Sequence, residues 1–553
     1  MTVTLRFLRA SAGAAAVLLT ALLATGTGVT AANAETYYPI AGTGSTWSQN
    51  ALDQWRTNVA SNYSMTVNYT GSGSSAGRKD FINQAVDFAV SEIPFQTAPE
   101  DNSAPEKPTT GYAYMPIVAG GTSFMYNLRI GGKKVTNLRL GGETVTKIFT
   151  GAITKWNDPQ ITADNPGLAM PDKAITPVVR SDGSGSTAQF TLWMSKQHPD
   201  LWNAFCASVG RGTPCGLTSQ YPVFGAAKAQ SGSLGVAGYV GQDYGDGAIT
   251  YVEYSYALKS GFPVAKVLNA SGYYVEPTAS SVAVALMQAQ INTDTSDPAT
   301  YLTQILDGVY NSVDSRTYPL SSYSYMIVPT AVNNTFSEAK GPTLGAFAQY
   351  MLCEGQQQAG ALGYSPLPMN LVLAGFDQIK RIPGAGNVNV DVNKCNNPTF
   401  KAGDSPSNNQ LAASAPQPAE CDKVGPNQCT TGTAGALEDT SVSGSGTGGS
   451  ATGSPSAGAG GATGTGADGS AGAGSAGAGS GAGAAVYDAT GALLSGGVGG
   501  GAVAKPFALA STGWQAENSV MLFAVVLLLA AVLLPPFLSR RLKRGRGNSQ
   551  PPA

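Results

Sequence analysis

Three clusters of glycine, serine and threonine in this sequence suit one kind of chemistry, the holding of an oxyanion by backbone N–H groups and hydroxyls. The first is Gly42-Thr43-Gly44-Ser45-Thr46-Trp47, whose small residues allow backbone amides to approach a ligand while Thr46 offers a hydroxyl beside them. The second, Gly71-Ser72-Gly73-Ser74-Ser75-Ala76-Gly77, places Ser74 or Ser75 where it would cap a helix, and a helix start with free N–H groups suits negative charge. Alone, it reads equally well as a turn with a serine cap. The third, Arg180-Ser181-Asp182-Gly183-Ser184-Gly185-Ser186-Thr187, adds a guanidinium able to grip two oxygens at once, with Asp182 close enough in sequence to orient it.

Glu92 ends the run Val86-Asp87-Phe88-Ala89-Val90-Ser91-Glu92. A carboxylate in an anion site is repulsive unless the ligand brings a proton. Phosphate does so near neutral pH and sulfate does not, so Glu92 would accept a P–OH hydrogen bond and reject sulfate. Considered alone, Glu92 reads as a solvated acid at a strand end. A competing chemistry is hydrolysis, because Gly73-Ser74-Ser75-Ala76-Gly77 fits G-x-S-x-G. That reading needs a histidine base, and His198 is the only histidine in the chain. A wall-displayed adhesion or scaffold protein with a vestigial pocket is the third class.

The clusters fall where strands give way to helices. Residues 37–383 alternate short apolar strands, such as 65–69 and 175–179, with amphipathic runs carrying Leu52 and Trp55, Phe81 and Ile82, or Phe190 and Trp193, the pattern of an α/β protein. Only 12% of the 553 residues are charged and the net charge is −2, which argues against a nucleic-acid partner. Residues 1–34 read as a signal peptide: Arg6 and Arg9, an apolar run, then Ala32-Asn33-Ala34. No cysteine precedes Cys206, so no lipid-attachment cysteine follows the signal. The six cysteines lie in the exported part, where disulfides are favoured over metal; Cys206 with Cys215 and Cys421 with Cys429 are the natural local pairs, leaving Cys353 with Cys395. No metal site and no cofactor are expected.

A Cys-containing extension at 391–430 is followed at 431–505 by a stretch rich in Gly, Ala and Ser, read as a flexible stalk spanning about 50 Å. LASTG at 509–513, an apolar span at 519–538 and a basic tail at 539–553 come next. The span is long enough to cross a bilayer and the tail would stay cytoplasmic, placing the folded part outside, C-terminally anchored on a Gram-positive, actinobacterial-like surface. This order resembles a sortase sorting signal of the LAxTG form, which implies a sortase partner and cleavage between Thr512 and Gly513. A plain membrane anchor is the alternative.

The motifs GTGSTWSQNALDQW, VNYTGSGSSAGRKDFINQAVDFAVSEIPF and VVRSDGSGST, with YMPIVAGGTSFMYN, IFTGAITKWNDPQI, ITYVEYSYA and LGYSPLP, resemble the periplasmic phosphate-binding proteins of phosphate-specific ABC transporters. The resemblance covers about 37–383. It implies a two-lobed venus-flytrap fold with a hinge, here with lobe 1 at 35–120, lobe 2 at 121–265 and a return to lobe 1 at 266–390. It further implies binding without catalysis, inorganic phosphate as ligand and an ABC permease as partner. By that match Thr46, Trp47, Ser74, Glu92, Arg180, Ser184, Gly185 and Ser186 fall on ligand positions, with Asp182 behind Arg180. Thr46, Ser74 and Ser186 would supply hydroxyls, and Trp47, Ser184, Gly185 and Ser186 backbone amides. The family usually shows Phe at Trp47, Thr at Ser186 and Asp at Glu92; the longer Glu92 bears on phosphate-over-sulfate discrimination. Gram-positive members are commonly lipoproteins, which this chain does not resemble.

Overall fold

The computed structural model describes residues 37–297, 299–386, 391–438 and 440, together with the backbone of Val486–Tyr487 and Leu493–Ser495. The chain divides into two units, Met1–Ala451 and Thr452–Ala553. In the second, the two short strands pair antiparallel. The expected signal peptide 1–34, the stalk beyond 440 apart from those strands, the LASTG motif 509–513, the apolar span 519–538 and the tail 539–553 lie outside the described residues. Among the described residues, no helix is long and apolar enough to cross a membrane.

The described part of the first unit begins with two β-α-β steps. Strand β1 (Ile40–Gly44) leads into helix α1 (Gln49–Tyr63), which buries Ala51, Leu52, Trp55 and Val59 on one face and ends where Ser64 turns left-handed at φ 56°. Strand β2 (Val67–Thr70), helix α2 (Ser74–Ile82) and strand β3 (Phe88–Ser91) follow. Both β2 and β3 pair parallel to β1, and β3, flanked on both edges, is buried along its whole length.

Strand β4 (Tyr112–Tyr126) is 15 residues long and serves two cores. Beyond it lie β5 (Thr176–Arg180), α3 (Gly185–Gln197), α4 (Pro199–Ser208), β6 (Lys228–Gln230), α5 (Gly232–Val240), β7 (Ala248–Glu253), α6 (Tyr254–Ser260) and β8 (Val264–Leu268). Helix α7 (Ala279–Leu286) and strand β9 (Ser321–Pro329) then lead to α8 (Gly341–Leu352). The main path of the 11-stranded sheet is β2-β1-β3-β9-β4-β7-β5-β6. Residues 112–121 of β4 pair with β9, and residues 122–126 pair with β7 and β8.

The two larger hydrophobic cores gather around Trp55, Phe88, Tyr325, Phe347 and Phe376 and around Phe124, Phe149, Phe190, Trp202 and Tyr251, with a smaller cluster around Val178, Val236, Val252 and Tyr254. The expected return to the first core at 266 is corrected by the structure. Val267, Val275, Tyr310 and Tyr318 pack in the second core, α7 gives Val282 and Leu286 to the first and Ala285 to the second, and the first sheet is rejoined at β9. Apolar patterning marks burial without saying which core receives it.

A second correction concerns the start of the stalk. Thr433 Oγ1 donates to the Val264 carbonyl at 2.6 Å and accepts from the Val264 N–H at 3.0 Å, Ala434 and Ala436 are buried, and Thr440 bonds Asn137. Small residues can complete a strand edge through their backbone and short hydroxyls without any apolar period, so composition alone missed this segment. The three disulfides join Cys206 to Cys215, Cys353 to Cys395 and Cys421 to Cys429.

Candidate anion site

The loops at the carboxyl ends of β1, β2 and β3 converge, since β1 lies between two parallel neighbours and its crossover helices diverge to either side. Facing them are the loops after β5 and β6, which open α3 and α5. Ser184 caps α3 by accepting the Thr187 N–H at 3.2 Å. Gly73 caps α2 at φ 93°, a left-handed conformation open to glycine at little cost.

Glu92 sits at the centre and is fully buried. Its Oε1 accepts from the hydroxyls of Ser45 and, at 2.8 Å, Ser324; its Oε2 accepts from Ser74 at 2.7 Å. The directions of two of these bonds are fixed by their surroundings. Ser45 Oγ accepts the Trp47 N–H at 2.9 Å and Ser74 Oγ accepts the Gly185 N–H at 3.1 Å, so each hydroxyl turns its own proton toward the carboxylate. Three of about four lone-pair positions on Glu92 are thereby occupied, and one on Oε2 is left. A Cβ on Gly185 would stand 1.8 Å from that oxygen, so only glycine fits there. Gln189 and Gln304 clamp the Glu92 carbonyl through their side-chain amides at 2.7 and 3.0 Å.

Arg180, also buried, makes a bidentate contact with Asp182, through Nε at 2.7 Å and through Nη2. Nη2 also reaches Thr46 Oγ1 at 3.0 Å and Nη1 reaches Ser233 Oγ at 3.4 Å. Burial on its own would raise the Asp182 pKa, but the bonds and charge of Arg180 and the Gly232 N–H outweigh it and hold the carboxyl below its ordinary value. Burial first, and then the Glu92 charge, push the Tyr69 phenol well up; its hydroxyl donates to the Ser45 carbonyl at 2.8 Å.

Thr46, Arg180 and Asp182 are therefore linked in one hydrogen-bonded group and Ser74, Glu92 and Gly185 in a second, with Ser184 next to Gly185 at the start of α3 and Ser45 and Thr46 adjacent in the chain. Ser186 joins the same helix start, its buried Oγ without a hydrogen-bond partner. Trp47 is buried at the edge, its ring edge-on to Tyr364 at 5.7 Å. Two donors expected to face a ligand are committed elsewhere: the Trp47 N–H to Ser45 and the Ser184 N–H to the Ser219 carbonyl at 2.9 Å. Sequence reasoning missed Ser45, Ser233, Ser324, Gln189 and Gln304. Ser45 stood inside a motif already marked, and Ser231-Gly232-Ser233 repeats the strand-to-helix signal after β6, whereas Ser324 gave none.

The residues of the hydrolase reading are not brought together. Ser75 Oγ accepts from Arg78 at 3.3 Å, while His198 lies at the junction of α3 and α4 with its ring on Trp193 at 5.1 Å. A cavity of about 410 Å³, lined among others by Ser72, Lys79, Asp101, Asp182 and Gln220, lies outside the Ser75 N–H to Gly183 carbonyl bond of 3.0 Å and does not reach Glu92. Among the described residues no group of His, Cys, Asp and Glu could hold a metal ion.

A mixed α/β sheet shared by two cores, with strand-end loops closing on a buried Arg and Glu, defines a periplasmic-binding-protein fold. Residues 29–354 match the model of the PBP superfamily domain. The phosphate-binding protein PstS of Xylella fastidiosa (strain Temecula1) is 31% identical over 336 residues, covering 60% of this chain and 82% of that protein. PstS of Haemophilus influenzae is 30% identical over 338 residues, 60% of this chain and 90% of that one. PstS 2 of Mycobacterium tuberculosis is 28% identical over 333 residues, covering 59% and 82%. A solved high affinity periplasmic phosphate-binding protein bound with phosphate aligns with 66% of this chain and 100% of its own at 21% identity and a TM-score of 0.47. The chain belongs to the PBP superfamily and, within it, to the family of PstS phosphate-binding proteins.

Proposed function

We propose that this protein captures one inorganic phosphate outside the cell and passes it to an ABC permease, making and breaking no covalent bond. The observation that carries the reading is the pairing of Arg180, a buried cation, with Glu92, a buried carboxylate that has one acceptor position left. An oxyanion is drawn by the first and must offer a proton to the second. Hydrogen phosphate meets both demands near neutral pH, and sulfate meets only one. Family membership supports the same ligand. Thr46, Trp47, Ser74, Glu92, Arg180, Ser184, Gly185 and Ser186 would surround it, with Asp182 orienting Arg180, and β4 and β9 would serve as the hinge between lobes. Export by residues 1–34 and anchoring through 509–513 and 519–538, by sortase or by the membrane span itself, complete the proposal.

Calorimetric titration of Arg180→Ala tests it. The variant removes the cation and leaves the part-buried Asp182 with the Gly232 N–H but no counter-charge, so phosphate affinity is expected to fall about 100-fold or more, equivalent to about 3 kcal/mol. Unchanged affinity would sink the reading.

A further inference from the structure

We infer that Ser45 and Ser324, neither of which the family resemblance placed at the ligand, set the anion selectivity of the pocket by holding Glu92 in one orientation with a single acceptor position open. The inference rests on the phosphate reading and deepens it. Both hydroxyls converge on Glu92 Oε1, from opposite sides of the first sheet's middle. Ser45 is locked in the donating sense because its oxygen accepts the N–H groups of Trp47 at 2.9 Å and Ser48 at 3.4 Å. Ser324 reaches the carboxylate because β9 pairs with β3, Tyr325 opposite Ser91, and its hydroxyl also lies 3.3 Å from that of Ser48. All four residues involved, Ser45, Ser74, Glu92 and Ser324, are fully or almost fully buried, so no water competes for these bonds.

Ser45 and Ser324 fill both acceptor positions of Oε1 and Ser74 one of Oε2, so the carboxylate is held in one orientation with a single position left on Oε2. The ligand must therefore supply the fourth proton. Without the two donors on Oε1, the carboxylate would be free to turn, and the alignment that favours an oxyanion carrying a proton over sulfate would be lost. Ser45 and Ser324 are positioning residues in this account, acting through Glu92.

The test is competition between phosphate and sulfate in the purified full chain, followed by calorimetry for wild type, Ser45→Ala, Ser324→Ala and the double variant. The expected result is a phosphate-over-sulfate preference about 10-fold smaller in each single variant, and smaller again in the double. If Ser45→Ala does not fold, Ser324→Ala carries the comparison, since Ser324 accepts no backbone N–H that its loss would orphan. A wild type that prefers phosphate, with variants that lose affinity for both anions in equal proportion, overturns this inference and leaves phosphate binding standing. A wild type that binds no phosphate overturns both.

Discussion

Glu253 is a buried acid with an unpartnered oxygen. Its Oε2 accepts the Ser255 N–H at 2.7 Å, while Oε1 lies without a partner close to where Gly120 meets Trp47. Burial pushes its pKa well up, only partly offset by the hydroxyl and N–H of Ser255. A raised folded pKa in an acid means that the native state binds the extra proton, so stability is lost as pH rises above the ordinary glutamate value. Glu253→Gln is expected to melt higher than wild type at pH 8 and to show little difference at pH 4; equal melting temperatures at both would count against this reading. Asp182 has the opposite sign. Its lowered folded pKa contributes stability above the ordinary aspartate value that disappears as pH falls through the folded one, so Asp182→Asn should flatten the acid limb of the melting curve below about pH 4. Arg180 and Asp182 were legible in sequence because a cation, an acid and small residues share one short loop. Ser324 was not, because its contact with Glu92 depends on the pairing of β9 with β3, strands far apart in sequence, which no local pattern records.

At the scale of elements, the loop between β3 and β4 also touches the loop after α4. Glu100 Oε2 accepts the Leu217 N–H at 2.8 Å and Asp101 Oδ2 accepts the Thr218 hydroxyl at 2.7 Å, just beyond the Cys206–Cys215 disulfide. If the two loops part when the ligand leaves, these bonds latch the bound form, and their loss should quicken release more than it slows capture. Thr218→Val is expected to raise the phosphate dissociation rate about 3- to 10-fold with little change in association, measured by stopped-flow fluorescence. A slower association with unchanged dissociation would contradict that. The β-α-β rhythm of the first core was visible as alternating apolar strands and amphipathic runs; the latch loops, which are polar, gave no such signal.

At the scale of the molecule, the α/β character of the folded part was legible from the alternation of apolar strands and amphipathic runs. The boundary at 431 was not, because Thr433, Ala434 and Thr440 dock on strand edges through backbone and short side chains. Nor was the return at 266, because β8 pairs with β4 in the second core while reading as any apolar strand would. The extension at 391–430 is tied to α8 by the Cys353–Cys395 disulfide, which closes 42 residues of sequence. Replacing both cysteines by serine should lower stability by about 2–4 kcal/mol, read as the shift of a chemical unfolding curve. The central claim concerns the whole closed molecule, and one titration addresses it most directly. Phosphate added calorimetrically to the purified chain in a large excess of sulfate should give a saturable isotherm with one ion per chain. The absence of binding heat, or an isotherm abolished by sulfate, would contradict it.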